Sequence, residues 1–151
     1  MRGYAAIGLS GPKSSINVGA VLRAAGVYRA ALVVVAGRRY TRSRTDTMCA
    51  YRHIPLQQVL DLKACIPFDC VPVAVDLVEG AISLPEYQHP PRAFYVFGPE
   101  DSTLGKAVLG WCRDRVMVPT CGCMNLAAAV NVVLYDRMAK QLMRAKEGEQ
   151  C

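Results

Sequence analysis

Histidine is almost missing from this chain. His53 and His89 are its only two, and neither has an adjacent nucleophile signature, which leaves a hydrolytic triad without a base. No Gly-x-Gly-x-x-Gly occurs, and Gly8-x-x-Gly11-Pro12-Lys13 lacks the spacing of a phosphate-binding loop, so dinucleotide and nucleoside-triphosphate enzymes are disfavoured. Cys121-x-Cys123 has no second pair to complete a zinc site, and no metal is expected. The longest apolar run, residues 30–36, is about a third of a membrane span, and glycines break the apolar stretch near the N-terminus, so neither an anchor nor a targeting segment is expected. The seven cysteines are odd in number and show no framework spacing, which points to a reducing, cytoplasmic setting.

The 151 residues are 52% hydrophobic and 20% charged, enough to bury one core without staples. A single domain over residues 1–146 is expected, with residues 147–151 as a frayed tail. Net charge is +6, unevenly placed: residues 1–52 hold nine basic side chains and one acid, Asp46, whereas the remainder holds nine and eleven. Arg38, Arg39, Arg42 and Arg44 crowd around Tyr40, with Arg52 close behind. Guanidinium groups stay charged and offer planar donor forks suited to phosphate oxygens, so a nucleic acid is the favoured partner over a merely solvated basic loop.

Apolar runs at residues 4–9, 31–35, 71–75, 94–97 and 116–118 are β-branched or aromatic and bounded by Gly, Pro or charge, which predicts strands. Helical spacing predicts helices over 18–26, capped by Asn17 and stopped by Gly26, over 55–65, over 102–112, and over 125–144. The last should bury Leu126, Val130, Val133, Leu134 and Met138. The alternation implies an α/β layered domain: a mainly parallel sheet, helices on both faces, and a ligand at the carboxyl ends of the strands. His53 reads as a basic-face residue and His89 as a loop residue ahead of Pro90-Pro91.

Three segments could carry chemistry. In the first, Asn17 and Gly19 precede Arg23, with Gly19 allowing another backbone close to the helix. In the second, Phe97-Gly98-Pro99-Glu100 places a carboxylate where a strand ends. The third opens a strand through Val118 and a Gly-containing loop into an Ala-rich helix near Cys123, Met124 and Asn125. Each also has a bland reading as a cap, a turn or a connection.

In this order, the three resemble the motifs of the SpoU/TrmH class of SPOUT methyltransferases: Asn17-x-Gly19-x-x-x-Arg23, then Phe97-Gly98-Pro99-Glu100, then Met124-Asn125-Leu126 through Val132-Val133-Leu134-Tyr135-Asp136. The likeness spans almost the whole chain and is strongest to the minimal TrmL-like enzymes. It implies a C-terminal trefoil knot, a homodimer, and methyl transfer from S-adenosylmethionine to a ribose 2′-hydroxyl of RNA, with tRNA and its wobble nucleotide favoured. Ribosomal RNA, or an RNA-binding protein without turnover, are the alternatives. The resemblance gives cofactor contacts to Val75, Gly98, Val118, Cys123 and Met124. It makes Arg23 the base or a phosphate clamp, oriented by Asn17, Glu100 and Asn125. RNA backbone falls to Arg38, Arg39, Arg42, Arg44 and Arg52. Cys123 stands where the family usually has Ser, which predicts that Cys123→Ser keeps or raises activity.

Overall fold

The β-branched runs fold as the strands of one sheet. In the computed structural model, which describes residues 3–37 and 40–148, the strands are β1 (Tyr4–Ser10), β2 (Leu32–Ala36), β3 (Leu56–Val59), β4 (Val71–Val75), β5 (Ile82–Ser83), β6 (Arg92–Phe97) and β7 (Asp114–Met117). Their order is β3-β2-β1-β6-β4-β7-β5, and every pairing is parallel. Alternation along the central strands divides two cores: Ile7, Leu9, Tyr95 and Phe97 face one way, Ala6, Phe94 and Val96 the other. Gly8 is bare on the second face because a β-carbon there would lie 2.7 Å from the Phe94 ring.

Helices α1 (Ser15–Val27) and α3 (Leu126–Gly148) pack together over the first face. The second face is covered by Leu62, by the 3-10 turn Lys63–Cys65, and by α2 (Lys106–Leu109) with Trp111 behind it. Helices on both faces therefore hold, although on one side they shrink to single turns.

Two predicted helices are corrected. Residues 55–65 form edge strand β3 and a 3-10 turn, because the open edge of β2 needs partners and Val33 N–H reaches the Pro55 carbonyl at 3.0 Å. Residues 102–112 keep only four helical residues, between Gly105 and Gly110, since the Leu104 amide is drawn at 2.5 Å to Asp76 Oδ2 instead of into a helix. On α3 the buried residues are Leu126, Ala127, Val130, Val133, Leu134 and Arg137, and Met138 lies outside them. Arg137 is held inward by the carbonyls of Pro90 (2.7 Å), Pro91 (2.6 Å) and Tyr4 (3.3 Å) and by the Tyr95 hydroxyl (3.2 Å). Residues 149–151 of the predicted tail lie outside the described residues.

Candidate active site

The loops leaving the carboxyl ends of β4, β6 and β7 enclose a cavity of about 370 Å³. In parallel sheets this end is where ligands bind. Val75, Gly98, Val118, Cys123 and Met124, the five residues predicted to hold a cofactor, all line it. The lining also carries the carboxylates of Asp76, Glu100 and Asp101 and no basic side chain. Gly98 has a reason to be glycine: a β-carbon would sit 3.3 Å from the Leu104 amide nitrogen and press on the loop that Asp76 holds.

One hydrogen-bonded chain joins the three motifs at this cavity. Glu100 accepts from the amides of Lys13 (2.9 Å) and Ser14 (3.2 Å) and from Asn17 Nδ2 (2.8 Å). Asn17 Oδ1 accepts from Asn125 Nδ2 at 3.0 Å, and Asn125 Oδ1 caps α3 through the amides of Ala127 (2.9 Å) and Ala128 (3.3 Å). The expected cap of α1 is thereby corrected. Ser14 is the cap residue and makes no side-chain cap bond, Asn17 sits inside the first turn, and the helix runs past Gly26 to Val27. The free amides before and at the start of α1 are satisfied by Glu100, from a motif more than eighty residues away. Partial burial pushes the Glu100 carboxyl up, but the bonds from Asn17 and from the Lys13 and Ser14 amides outweigh it and hold the group below its ordinary value.

Known proteins share this architecture. The crystal structure of AviRb, a SpoU methyltransferase from Streptomyces viridochromogenes, superposes with a TM-score of 0.79 at 18% identity over 95% of this chain, and this chain spans 62% of that structure's length. A further structure of AviRb contains AdoMet. The A. aeolicus TrmH/SpoU tRNA modifying enzyme superposes at 0.83 with 14% identity, covering 93% of this chain and 77% of its own. An RNA 2′-O ribose methyltransferase gives 0.78 at 23% identity, covering 94% and 58%. Among curated proteins no sequence match is found. The profile of the SpoU rRNA Methylase family matches residues 5–135. The chain belongs to that family.

Of the four residues expected to carry the chemistry, Asn17, Glu100 and Asn125 meet in the structure and Arg23 stands apart. Arg23 is exposed on α1 and makes no hydrogen bond to the other three. Six residues turn an α-helix by roughly 600°, leaving Arg23 and Asn17 about 120° apart around the axis. Arg23 shares its face instead with Gly19, one turn earlier. Gly19 is where the arginine-rich segment lands: a β-carbon there would lie 2.3 Å from Thr45 Oγ1 and 2.9 Å from Ser43 Cβ. Thr45 Oγ1 donates to the Ile16 carbonyl at 2.7 Å, fixing residues 43–46 against α1. Arg42, Arg44 and Arg52 are exposed, while Arg38 and Arg39 lie outside the described residues.

Asp76 escaped the sequence reading. It accepts from the Leu77 amide at 2.7 Å and from Leu104, so it ties two walls of the cavity together. Its one visible signal is an acid directly after a buried parallel strand. His89 is on a loop as expected, but it is buried against Tyr95 and Asp136. Among the described residues no helix is long and apolar enough to cross a membrane, and no group of three or more His, Cys, Asp or Glu could hold a metal ion.

Proposed function

We propose that this SpoU-family protein is a cytoplasmic, homodimeric RNA methyltransferase that transfers a methyl group from S-adenosylmethionine to a ribose 2′-hydroxyl, with tRNA and its wobble nucleotide as the favoured substrate. The observation that carries the reading is the meeting of Asn17, Glu100 and Asn125 at an apolar cavity lined by the carboxylates of Asp76, Glu100 and Asp101, the last of them paired with Lys13, beside an arginine-rich surface. The two sites have opposite charge preferences. A ligand bearing positive charge suits the cavity, and a polyanion suits the surface outside it.

The residues present fit this donor. The cavity volume lies in the range of small-molecule sites, its walls at Val75, Val118, Leu126 and Ala129 are apolar, and the acids can face a sulfonium and an ammonium group. When bound, S-adenosylmethionine supplies an electrophilic methyl carbon. Asn17 and Asn125 each retain an amide hydrogen beyond those their mutual chain uses, and these are available to a ribose oxygen. Holding the ribose oxygen in line with that carbon would supply most of the acceleration, and the hydroxyl proton, which neither asparagine can accept, would leave to solvent. The Arg23 guanidinium offers a planar fork of donors and acts from the RNA side as a clamp on the phosphate beside the target sugar. The trefoil knot of the family belongs to the same reading. For the homodimer, the exposed stripe Tyr135, Met138 and Leu142 on α3 offers an apolar face.

The test is incubation with labelled methyl donor and total RNA, followed by mapping of the modified nucleotide. A 2′-O-methylated ribose in tRNA is expected; a methylated base, or no incorporation, overturns the reading. Light scattering checks the dimer, which Tyr135→Glu should split.

A further inference from the structure

Residues 40–52 form a built surface. Tyr40 Oη accepts from the Ser43 amide at 3.1 Å, and the Ser43 and Thr45 hydroxyls are 2.8 Å apart. Asp46 is buried, and its Oδ1 accepts from the Ala50 amide at 2.9 Å. That bond closes the turn that leads through Cys49, in left-handed backbone at φ 50°, into the 3-10 turn Ala50–Arg52. The result is fixed presentation of Tyr51, half-buried against the core, with the Arg42 guanidinium carbon over its ring at 5.5 Å from the centroid and that of Arg52 at 6.0 Å.

Both arginines are exposed, and neither pairs with a carboxylate among the described residues. The only acid of the first 52 residues, Asp46, is buried: its Oδ1 accepts from Ala50, its Oδ2 has no hydrogen-bond partner, and it pairs with neither arginine. Apart from one weak bond from Arg42 Nη2 to Cys49 Sγ at 3.5 Å, the two guanidinium groups, held at an aromatic ring without a neutralising acid, keep donors for phosphate and also offer flat π surfaces. Unpaired bases are held in this way in RNA recognition, by stacking on aromatic rings and on guanidinium planes. The bases of a duplex are already stacked and cannot enter.

We propose that Arg42, Tyr51 and Arg52 form a stacking ledge for an unpaired base of the RNA substrate, so that the protein selects nucleotides presented in a single-stranded loop. The ledge rests on the reading of the substrate as RNA. Through Thr45 and Gly19 it is fixed to the helix that carries Asn17 and Arg23, so the stacked base lies near the target sugar.

The test compares a labelled RNA stem-loop with a fully paired duplex of the same loop sequence, by anisotropy and by KM for methyl transfer. Tyr51→Leu should raise the dissociation constant and KM for the stem-loop about tenfold, and Tyr51→Phe should restore both. S-adenosylmethionine binding by calorimetry should stay at the wild-type value, which also shows the variant is folded. The double variant Arg42→Lys with Arg52→Lys, on exposed positions, should keep the salt dependence of binding while losing the preference for stem-loop over duplex. Stem-loop binding by Tyr51→Leu equal to wild type, failure of Tyr51→Phe to restore it, or an unchanged preference in the double lysine variant overturns the ledge alone. Wild-type protein that binds neither RNA overturns the RNA reading and the ledge with it.

Discussion

Around Arg137, where β1 and β6 begin, polar groups are consumed by one another. Four N–H···O contacts hold its guanidinium, and Lys140 Nζ meets Asp136 (2.7 Å) and the carbonyls of Leu84 (2.6 Å) and Tyr87 (3.0 Å). His89 fits the same pattern. Its Nε2–H donates to Asp136 at 2.8 Å, so Nδ1 accepts from the Tyr95 hydroxyl at 2.5 Å, and that hydroxyl in turn accepts from Arg137. Burial there pushes the Tyr95 phenol up to about 12 and the imidazole of His89 down. At the opposite end, where β4, β6 and β7 finish, Asn17, Glu100 and Asn125 make one directional chain and keep donors and acceptors in reserve at a cavity. A saturated network can only hold the fold together. One with capacity left over can also take a ligand.

The largest effect should come from the saturated end. Arg137→Leu strands three carbonyls and a hydroxyl in the interior, and we expect a loss of about 3 kcal/mol or more in urea unfolding, with methyl transfer by the remaining folded protein preserved. A loss under about 1 kcal/mol would break the contrast between the two ends. Glu100→Gln should cost only about 1 kcal/mol, the scale of a helix cap. It should nevertheless weaken methyl transfer on the order of tenfold, the worth of a hydrogen bond to a charged group.

Proton linkage sharpens the comparison, because a base is depressed at one end and an acid at the other. The native pKa of Glu100 is depressed, so its contribution is present above the unfolded value near ~4.3 and is lost as pH falls through the native one. The stability gap between wild type and Glu100→Gln should therefore close in that acid range. His89 is also depressed, but as a base: the unfolded chain takes its proton near pH ~6.5 while the native network resists it. Stability should fall as pH drops from that value toward the native pKa, and His89→Gln should flatten the profile there while Glu100→Gln leaves it unaltered. The smallest effect is expected at Cys123, exposed on the cavity rim, where Cys123→Ser should change stability by less than about 0.5 kcal/mol and leave methyl transfer at or above wild type. A tenfold loss would give the thiol a role of its own.

What the sequence displayed was mainly what is decided locally. Five strands were legible because their β-branched runs end at Gly, Pro or charge, and the last helix starts within one residue of Asn125, expected as its first residue and found as its cap. The misreadings lie where a distant partner decides. Leu56 and Val59, three apart, imitate a helical stripe, yet the edge of β2 makes them a strand. Asn17 looks like a cap by every local rule, while Glu100 supplies the acceptor from across the sheet. Nothing local marks Arg137 for burial; the carbonyls of Pro90 and Pro91 reach it only through the fold. The same holds for Asp76, whose role depends on the Leu104 amide brought to it by the fold.

The bond between Asn125 and Asn17 spans 108 positions, and that between Asn17 and Glu100 spans 83. Loop closure over such separations is slow, so the pocket is assembled late in folding rather than growing outward from a local nucleus. During synthesis, a ribosome that has not yet released the segment around Asn125 holds a polypeptide with neither a finished cavity nor a start for its longest helix. Prematurely terminated products consequently lack both.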